Sequence, residues 1–220
     1  MSESRSFVNR RLHSLLGVIP IGGFLIVHLV TNFHSTMGKE AFLGRVAFLE
    51  GLPLLVVIEI VFIYIPILYH GIYGVYIALQ ARNNPREWGT FRNWMFILQR
   101  VTGIIALVFI AIHVWQTRLQ VFFGNLDPMD FGSQMHAIFS NPVWMVLYLI
   151  GLTATVFHFS NGLWSFLVSW GITVGPRAQH VATYVCAAVF VIVMYIGVRS
   201  IYGFLDPEFA SLISTQLANL

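Results

Sequence analysis

Charged residues are scarce in this chain of 220 residues. Only 10% of them are Asp, Glu, Lys or Arg, whereas soluble globular domains carry about 25%. Hydrophobic residues make up 57% of the sequence and the mean hydropathy is +0.77. This balance excludes an ordinary soluble domain and predicts an integral membrane protein. The net charge is +3, and this positive sign favours contact with anionic lipid. Its small size gives no sign of a nucleic-acid partner.

Cysteine is nearly absent, because Cys186 is the one cysteine in the sequence. It excludes an intrachain disulfide, a Cys-based zinc site and an iron–sulfur cluster, which needs about four cysteines. No cleaved signal peptide is expected, since the apolar run after the basic amino terminus is too long for a signal core. No internal repeat or appended soluble domain is evident, so residues 1–220 are expected to form a single transmembrane domain.

Long apolar segments are abundant. A transmembrane helix needs about 20 mostly apolar residues. Five segments meet this requirement and predict an all-α bundle of five transmembrane helices: Leu15–Phe33, Leu54–Leu79, Phe96–Trp115, Val143–Val168 and Val181–Phe204. Pro20 and Pro66 fall inside the first two segments and are expected to bend them.

The distribution of basic residues predicts the orientation of the bundle. The amino terminus with the second and fourth loops contains Arg5, Arg10, Arg11, Arg82, Arg86, Arg92, Arg100 and Arg177, and the other side contains Lys39, Arg45, Arg118 and Arg199. Segments rich in Lys and Arg stay in the cytoplasm. The amino terminus is therefore expected in the cytoplasm and the carboxy terminus outside.

Four histidines lie deep inside four of the apolar segments: His28, His70, His113 and His158. An ionisable side chain inside a membrane is costly and marks a candidate functional site. At 1.5 Å per residue, His28 and His113 lie about 8–9 Å from the outer ends of their helices, and His70 and His158 about 24–26 Å from the outer side. The four histidines therefore sort into an outer pair and an inner pair.

Two imidazole pairs in a helix bundle favour two b haems, because a low-spin b haem takes two axial ligands and buries a large apolar ring. Gly74 and Gly162 follow the inner histidines by four residues, and Gly17 precedes His28 by about three turns, so these small residues are expected to line the haems. The alternatives are that the histidines are hydrogen-bonding residues or proton relays and that the glycines are packing contacts. Four histidines in two layers favour the haems.

Glu59 is the other unusual residue, since it lies in the outer part of the second apolar segment. It precedes His70 by three turns, which predicts the same helix face about 16 Å further out. It is either a neutral, hydrogen-bonded acid or a proton-handling group beside a quinone site or the outer haem. A proton-coupled transporter that uses His and Glu59 as relays is the alternative function from another class.

Four polar residues near the cytoplasmic end are candidate contacts for haem propionates. They share the capacity to donate a hydrogen bond at the level where the inner haem would end: His13, Ser14, Gln99 and Arg100. Arg100 has the alternative role of an ordinary snorkelling anchor.

Several motifs together resemble the cytochrome b558 subunits of bacterial succinate:menaquinone oxidoreductases. They are RRLHSLLGVIP (Arg10 to Pro20), YHGIYGVYIA at His70, FRNWMFILQRVTGI (Phe91 to Ile104), HVW at His113 and HFSNGLWSF at His158. The resemblance covers almost the whole chain, and the motifs agree in order and spacing.

The resemblance implies a five-helix, di-haem anchor in the bacterial cytoplasmic membrane. His70 and His158 would bind the inner haem iron, and His28 and His113 the outer one. The anchor would bind a flavoprotein, which oxidises succinate, and an iron–sulfur protein, and electrons would pass through the haems to menaquinone. No succinate active site is expected on this chain.

Related di-haem fumarate reductase anchors carry a glutamate two residues before the fourth ligand, where this chain has Val156. This difference favours the succinate-oxidising branch. The alternatives are the anchor cytochrome of a fumarate reductase or of another di-haem quinone-linked dehydrogenase, such as a formate dehydrogenase or a hydrogenase.

Overall fold

The computed structural model describes residues 3–82 and 84–210, and every regular element in these ranges is a helix. The α-helices in chain order are α1 (Glu3–Val18), α2 (Pro20–Phe33), α3 (Lys39–Glu50), α4 (Leu55–Glu59), α5 (Ile65–Gln80), α6 (Phe91–Gln116), α7 (Arg118–Phe122), α8 (Phe131–Ser140), α9 (Pro142–Ser169) and α10 (Pro176–Gly203). A π-helix, Ile60–Tyr64, joins α4 to α5. Short 3₁₀ turns occur at His34–Met37, Pro128–Asp130 and Pro207–Phe209.

Five helical segments of the described chain are long and apolar enough to cross a membrane: Arg5–Met37, Leu55–Gln80, Phe91–Phe122, Pro142–Ser169 and Pro176–Gly203. The predicted all-α fold with five apolar helices is confirmed. The helices extend beyond the apolar segments at their polar ends. This extension follows from backbone chemistry, because a helix satisfies its own N–H and C=O groups whether or not its side chains are apolar.

The chain divides into two compact units. The first unit comprises the chain up to Leu25, Val56–Leu107 and Thr153–Ile192. The second unit comprises Ile26–Leu55, Val108–Leu152 and the chain from Val193 onward. Five helices contribute residues to both units: α2, α4, α6, α9 and α10.

The first and third loops between the apolar segments contain helices that the sequence did not predict. Helix α3 lies in the first of these segments, and α7 and α8 lie in the other. In the second unit, Phe42 of α3 is 2% exposed and contacts the rings of Phe204 and Phe209 edge to face, at centroid distances of 4.9 Å and 6.0 Å. Burial of these aromatic side chains stabilises α3, which has too few apolar residues to predict a membrane helix.

The two helix prolines lie at discontinuities, in agreement with the sequence. Helix α1 ends at Val18 and α2 begins at Pro20, with Ile19 between them in a turn. The second discontinuity is the π-helix before Pro66, where the N–H of Ile65 bonds the carbonyl of Ile60. A π-helical turn is wider than an α-helical one, so it changes the face on which later residues lie.

Close helix packing in the second unit depends on Gly203. A Cβ atom there would lie 2.8 Å from the backbone carbon of Ser35 and 2.8 Å from the backbone nitrogen of Thr36. Ser35 is itself buried and donates a 3.0 Å hydrogen bond to the carbonyl of Ser200. Neither backbone can move without disturbing this contact.

Gly203→Ala is therefore expected to lower the free energy of unfolding by about 1–3 kcal/mol, because overpacking against backbone forces a helix shift. The measurement is the thermal midpoint of the detergent-solubilised protein. Gly44→Ala in α3 is the matched control, since no atom lies within 4 Å of its added Cβ. A Gly203→Ala midpoint equal to that of the control would contradict this prediction.

Candidate functional site

The first unit brings together two of the intramembrane histidines, His70 of α5 and His158 of α9. Their ring centroids are 5.9 Å apart and their planes are 84° apart. Nδ1 of His70 lies 2.9 Å from the carbonyl oxygen of His13, and Nδ1 of His158 lies 2.9 Å from the carbonyl oxygen of Gln99. A carbonyl oxygen only accepts, so each Nδ1 must carry the hydrogen and each Nε2 must carry a lone pair.

The second unit brings together the other two, His28 of α2 and His113 of α6. Their ring centroids are 5.7 Å apart and their planes are 69° apart. The side-chain amide of Asn32 donates to Nε2 of His28 over 3.1 Å, so this nitrogen also carries a lone pair. Nδ1 of His113 lies 3.3 Å from the hydroxyl of Tyr148. The pairing predicted from helical rise is thus the pairing that the structure brings into contact.

Two notches on neighbouring helices hold the imidazoles of the first unit. Each notch consists of a carbonyl and the glycine four residues later: His13 with Gly17 on α1, and Gln99 with Gly103 on α6. A Cβ atom on Gly17 would lie 2.7 Å from Nδ1 of His70, and one on Gly103 would lie 2.7 Å from Cε1 of His158. In a helix, the N–H of residue i+4 bonds the carbonyl of residue i. Glycine at i+4 therefore leaves this carbonyl open to a second donor, the imidazole.

The imidazole pairs fit a haem iron better than a metal ion held by protein side chains alone. Metal–imidazole bonds are about 2 Å long, so two imidazoles on opposite sides of one iron place their ring centres about 6 Å apart. Both observed separations are close to this value. Among the residues that the structure describes, no three His, Cys, Asp or Glu side chains converge on one point. A pair of imidazoles would leave a metal incompletely coordinated, and a porphyrin would supply the four missing nitrogens.

Comparison with known proteins gives an independent result. The model of the succinate dehydrogenase/fumarate reductase transmembrane subunit family matches residues 80–197. The chain is also 50% identical, over 204 residues, to the succinate dehydrogenase cytochrome b558 subunit of Bacillus subtilis (strain 168), covering 93% of this chain and 100% of that protein. This chain belongs to the succinate dehydrogenase/fumarate reductase transmembrane subunit family. It is a multi-pass membrane subunit of an oxidoreductase complex.

His13, one of the four predicted propionate contacts in this family member, lies directly beside the imidazole of His70. The ring of His13 stacks on that of His70, with centroids 4.0 Å apart and planes 5° apart. Nε2 of His13 is buried and has no hydrogen-bond partner. A buried nitrogen without a partner is costly, so His13 has an unused polar atom for a propionate or another haem substituent.

Both polar atoms of the Gln99 side chain already have hydrogen-bond partners in the first unit. Its amide nitrogen donates to the carbonyl of His158 over 2.9 Å, and its oxygen accepts from the amide of Asn161 over 2.7 Å. These contacts make Gln99 a support for His158. Ser14 and Arg100 are half-buried neighbours of His13 and Gln99. Propionate binding by these four residues stays a prediction.

The predicted glycines also have defined neighbours in the first unit. Gly17 faces the ring of His70, although the sequence placed it on the face of His28. Added Cβ atoms on Gly74 and Gly162 would lie 3.1 Å from side-chain nitrogens of His13 and Gln99, respectively. Gly74 and Gly162 therefore make room for the two residues whose carbonyls accept from the imidazoles.

The predicted position of Glu59 relative to His70 assumed an uninterrupted α-helix, which the structure does not show. The eleven-residue spacing equals three turns only in an uninterrupted α-helix, and the π-helix Ile60–Tyr64 lies between the two residues. Glu59 is half-buried at the end of α4 and belongs to the first unit. Its expected place on the face of His70 and a proton-handling role both stay predictions.

Sequence reasoning missed Gly103, Asn161 and Tyr148. The signal for Gly103 was present, because the spacing of four between Gln99 and Gly103 repeats the spacing between His13 and Gly17. Tyr148 carried no such signal, since an aromatic residue in an apolar helix usually contacts lipid or packs in the bundle.

Proposed function

We propose that this chain is the di-haem cytochrome b558 anchor of a succinate:menaquinone oxidoreductase. His70 and His158 bind the iron of one b haem, and His28 and His113 bind the iron of a second. One observation carries the proposal: the four intramembrane histidines form two pairs, and the hydrogen bonds of each leave Nε2 unprotonated, which is the state that binds iron. The name of the Bacillus subtilis relative supports it.

When bound, the two b haems supply one-electron carriers between an iron–sulfur partner and menaquinone. The protein's own residues orient the imidazoles. Carbonyl acceptors on Nδ1 fix the tautomer and raise the basicity of Nε2. Two imidazoles bound to one haem iron would leave no open coordination position, which would favour electron transfer over oxygen chemistry.

The proposed partners are a flavoprotein, which holds the succinate site, and an iron–sulfur protein, both on the cytoplasmic side of a bacterial membrane. The excess of arginine at the amino terminus and in the even loops supports a cytoplasmic amino terminus and an outer carboxy terminus. No catalytic residue for succinate is proposed on this chain.

Fumarate reduction is the second candidate, because the matched family includes fumarate reductase subunits. Val156 favours succinate oxidation. It occupies the position of the glutamate in di-haem fumarate reductase anchors and is 0% exposed, so this position holds no proton-carrying group.

The test is to purify the assembled complex from haem-replete cells and to quantify protohaem per copy of this chain. We expect two b haems per chain, a dithionite-reduced minus oxidised spectrum with b-type bands, and copurification of a flavoprotein and an iron–sulfur protein. One haem per chain would contradict the di-haem assignment. A colourless protein would favour the proton-coupled transporter instead, and partners without flavin would favour another dehydrogenase.

A further inference from the structure

His113 differs from the first-unit histidines in the group that accepts its Nδ1 proton. His70 and His158 bond backbone carbonyls, whereas Nδ1 of His113 lies 3.3 Å from the hydroxyl of Tyr148. A backbone carbonyl is present whatever the side chain is. The environment of His113 therefore depends on one particular side chain, 35 residues further along the chain.

The hydrogen-bond directions around Tyr148 are determined by counting protons. Its hydroxyl donates to Oε1 of Gln116 over 2.9 Å. A hydroxyl carries one hydrogen, so it must act as the acceptor toward Nδ1 of His113. Gln116 is thus the residue that turns the hydroxyl lone pair toward the imidazole. The backbone carbonyl of Gln116 accepts from the side-chain amide of Gln134 over 3.1 Å.

Aromatic packing in the second unit holds the ring of Tyr148 in one orientation. The side chain is 4% exposed. The rings of Phe109, Phe139 and His113 contact it edge to face, at centroid distances of 5.2 Å, 5.1 Å and 5.8 Å. Phe109 also stacks on His113, with centroids 5.9 Å apart. Rigid packing of this kind places a hydroxyl far more accurately than an exposed tyrosine would.

We infer that Tyr148 is the positioning residue for His113. It orients the imidazole, keeps the proton on Nδ1 and raises the basicity of Nε2, and Gln116 polarises its hydroxyl for this purpose. The inference rests on the proposed function, in which His113 is an axial ligand. It implies that the potential of this one haem is adjustable through a side chain that never touches the iron.

Tyr148→Phe is the test, because it removes the acceptor and keeps the ring. Without the acceptor, Nε2 of His113 is a weaker donor to iron, which destabilises the ferric state and raises the midpoint potential. We expect both haems to remain bound, one potential to rise, the highest-g low-spin EPR signal of the same haem to shift, and the other haem to stay unchanged. Tyr202→Phe, an exposed tyrosine of α10, is the matched control and should change neither haem.

Gln116→Leu provides a second, independent variant. It retains the Tyr148 hydroxyl but removes its polarising partner, so the same haem should shift in the same direction by a smaller amount. If Tyr148→Phe does not assemble, this variant decides the outcome.

Two different failures are distinguishable. If the wild-type complex shows two distinct haem components and neither variant moves a potential or an EPR signal, the role of Tyr148 is overturned and the proposed function stands. If the wild-type complex lacks two haems, the proposed function itself fails. A shift of both components, or of the component that His70→Ala removes, would also overturn the inference.

Discussion

Replacing any one of the four paired histidines with alanine is expected to halve the haem content of the purified complex. The reason is coordination: alanine removes one axial ligand and leaves a single imidazole for that iron. His70→Ala and His158→Ala should lose the same haem component, and His28→Ala and His113→Ala the other. The measurements are protohaem per polypeptide and the reduced-minus-oxidised spectrum. Each is recorded on the same amount of assembled complex for every variant.

The pairing is tested more strictly by comparing variants with one another. A double His70→Ala/His158→Ala variant should lose no more haem than either single variant, because both residues serve one iron. His180→Ala, at an exposed histidine of α10 that contacts Tyr184, is the matched control and should keep both haems. Loss of the same component in His70→Ala and His113→Ala would show that the pairing is wrong.

The second large effect is expected from the two notches of the first unit. Gly17→Ala and Gly103→Ala should each remove the haem held by His70 and His158, and keep the other. Each new methyl group would occupy space that an imidazole ring now fills, 2.7 Å from Nδ1 of His70 or from Cε1 of His158. The ring cannot rotate away without losing both the carbonyl bond to Nδ1 and its direction toward iron, so the effect should resemble loss of the histidine.

Gly23→Ala is the matched control for these variants, because its Cβ would meet no atom within 4 Å and the residue lies in the neighbouring helix α2. Haem content and the spectrum of each component decide the result. Normal haem content in both Gly17→Ala and Gly103→Ala would contradict the function assigned to the notches. Selective loss of the haem of the second unit would do so as well.

Much of the fold was predictable because bilayer-crossing helices have a simple physical requirement. A run of about 20 apolar residues both forms a helix and buries its side chains in lipid. The five apolar helices followed from this rule. Helices α3 and α8 did not follow from this rule. They are stabilised by buried contacts with residues that are distant in the chain, such as the contacts of Phe42 and Phe139.

The candidate site was predictable to the extent that it depends on depth along a helix. Helical rise alone paired His70 with His158 and His28 with His113, because residues at similar depth in a bundle can meet. Glu59 shows the limit of this reasoning. Its predicted face assumed an uninterrupted α-helix, and the π-helix between Glu59 and His70 removes that assumption.

The sequence by itself determined that this is a helical membrane protein with two layers of histidine, because apolar length and helical rise are local properties of a chain. The tertiary structure decided which groups hold each imidazole: the carbonyls of His13 and Gln99, and the hydroxyl of Tyr148. Hydrogen bonds between helices depend on rotation and close approach. These are set by packing between distant segments, so no local pattern of residues reveals them.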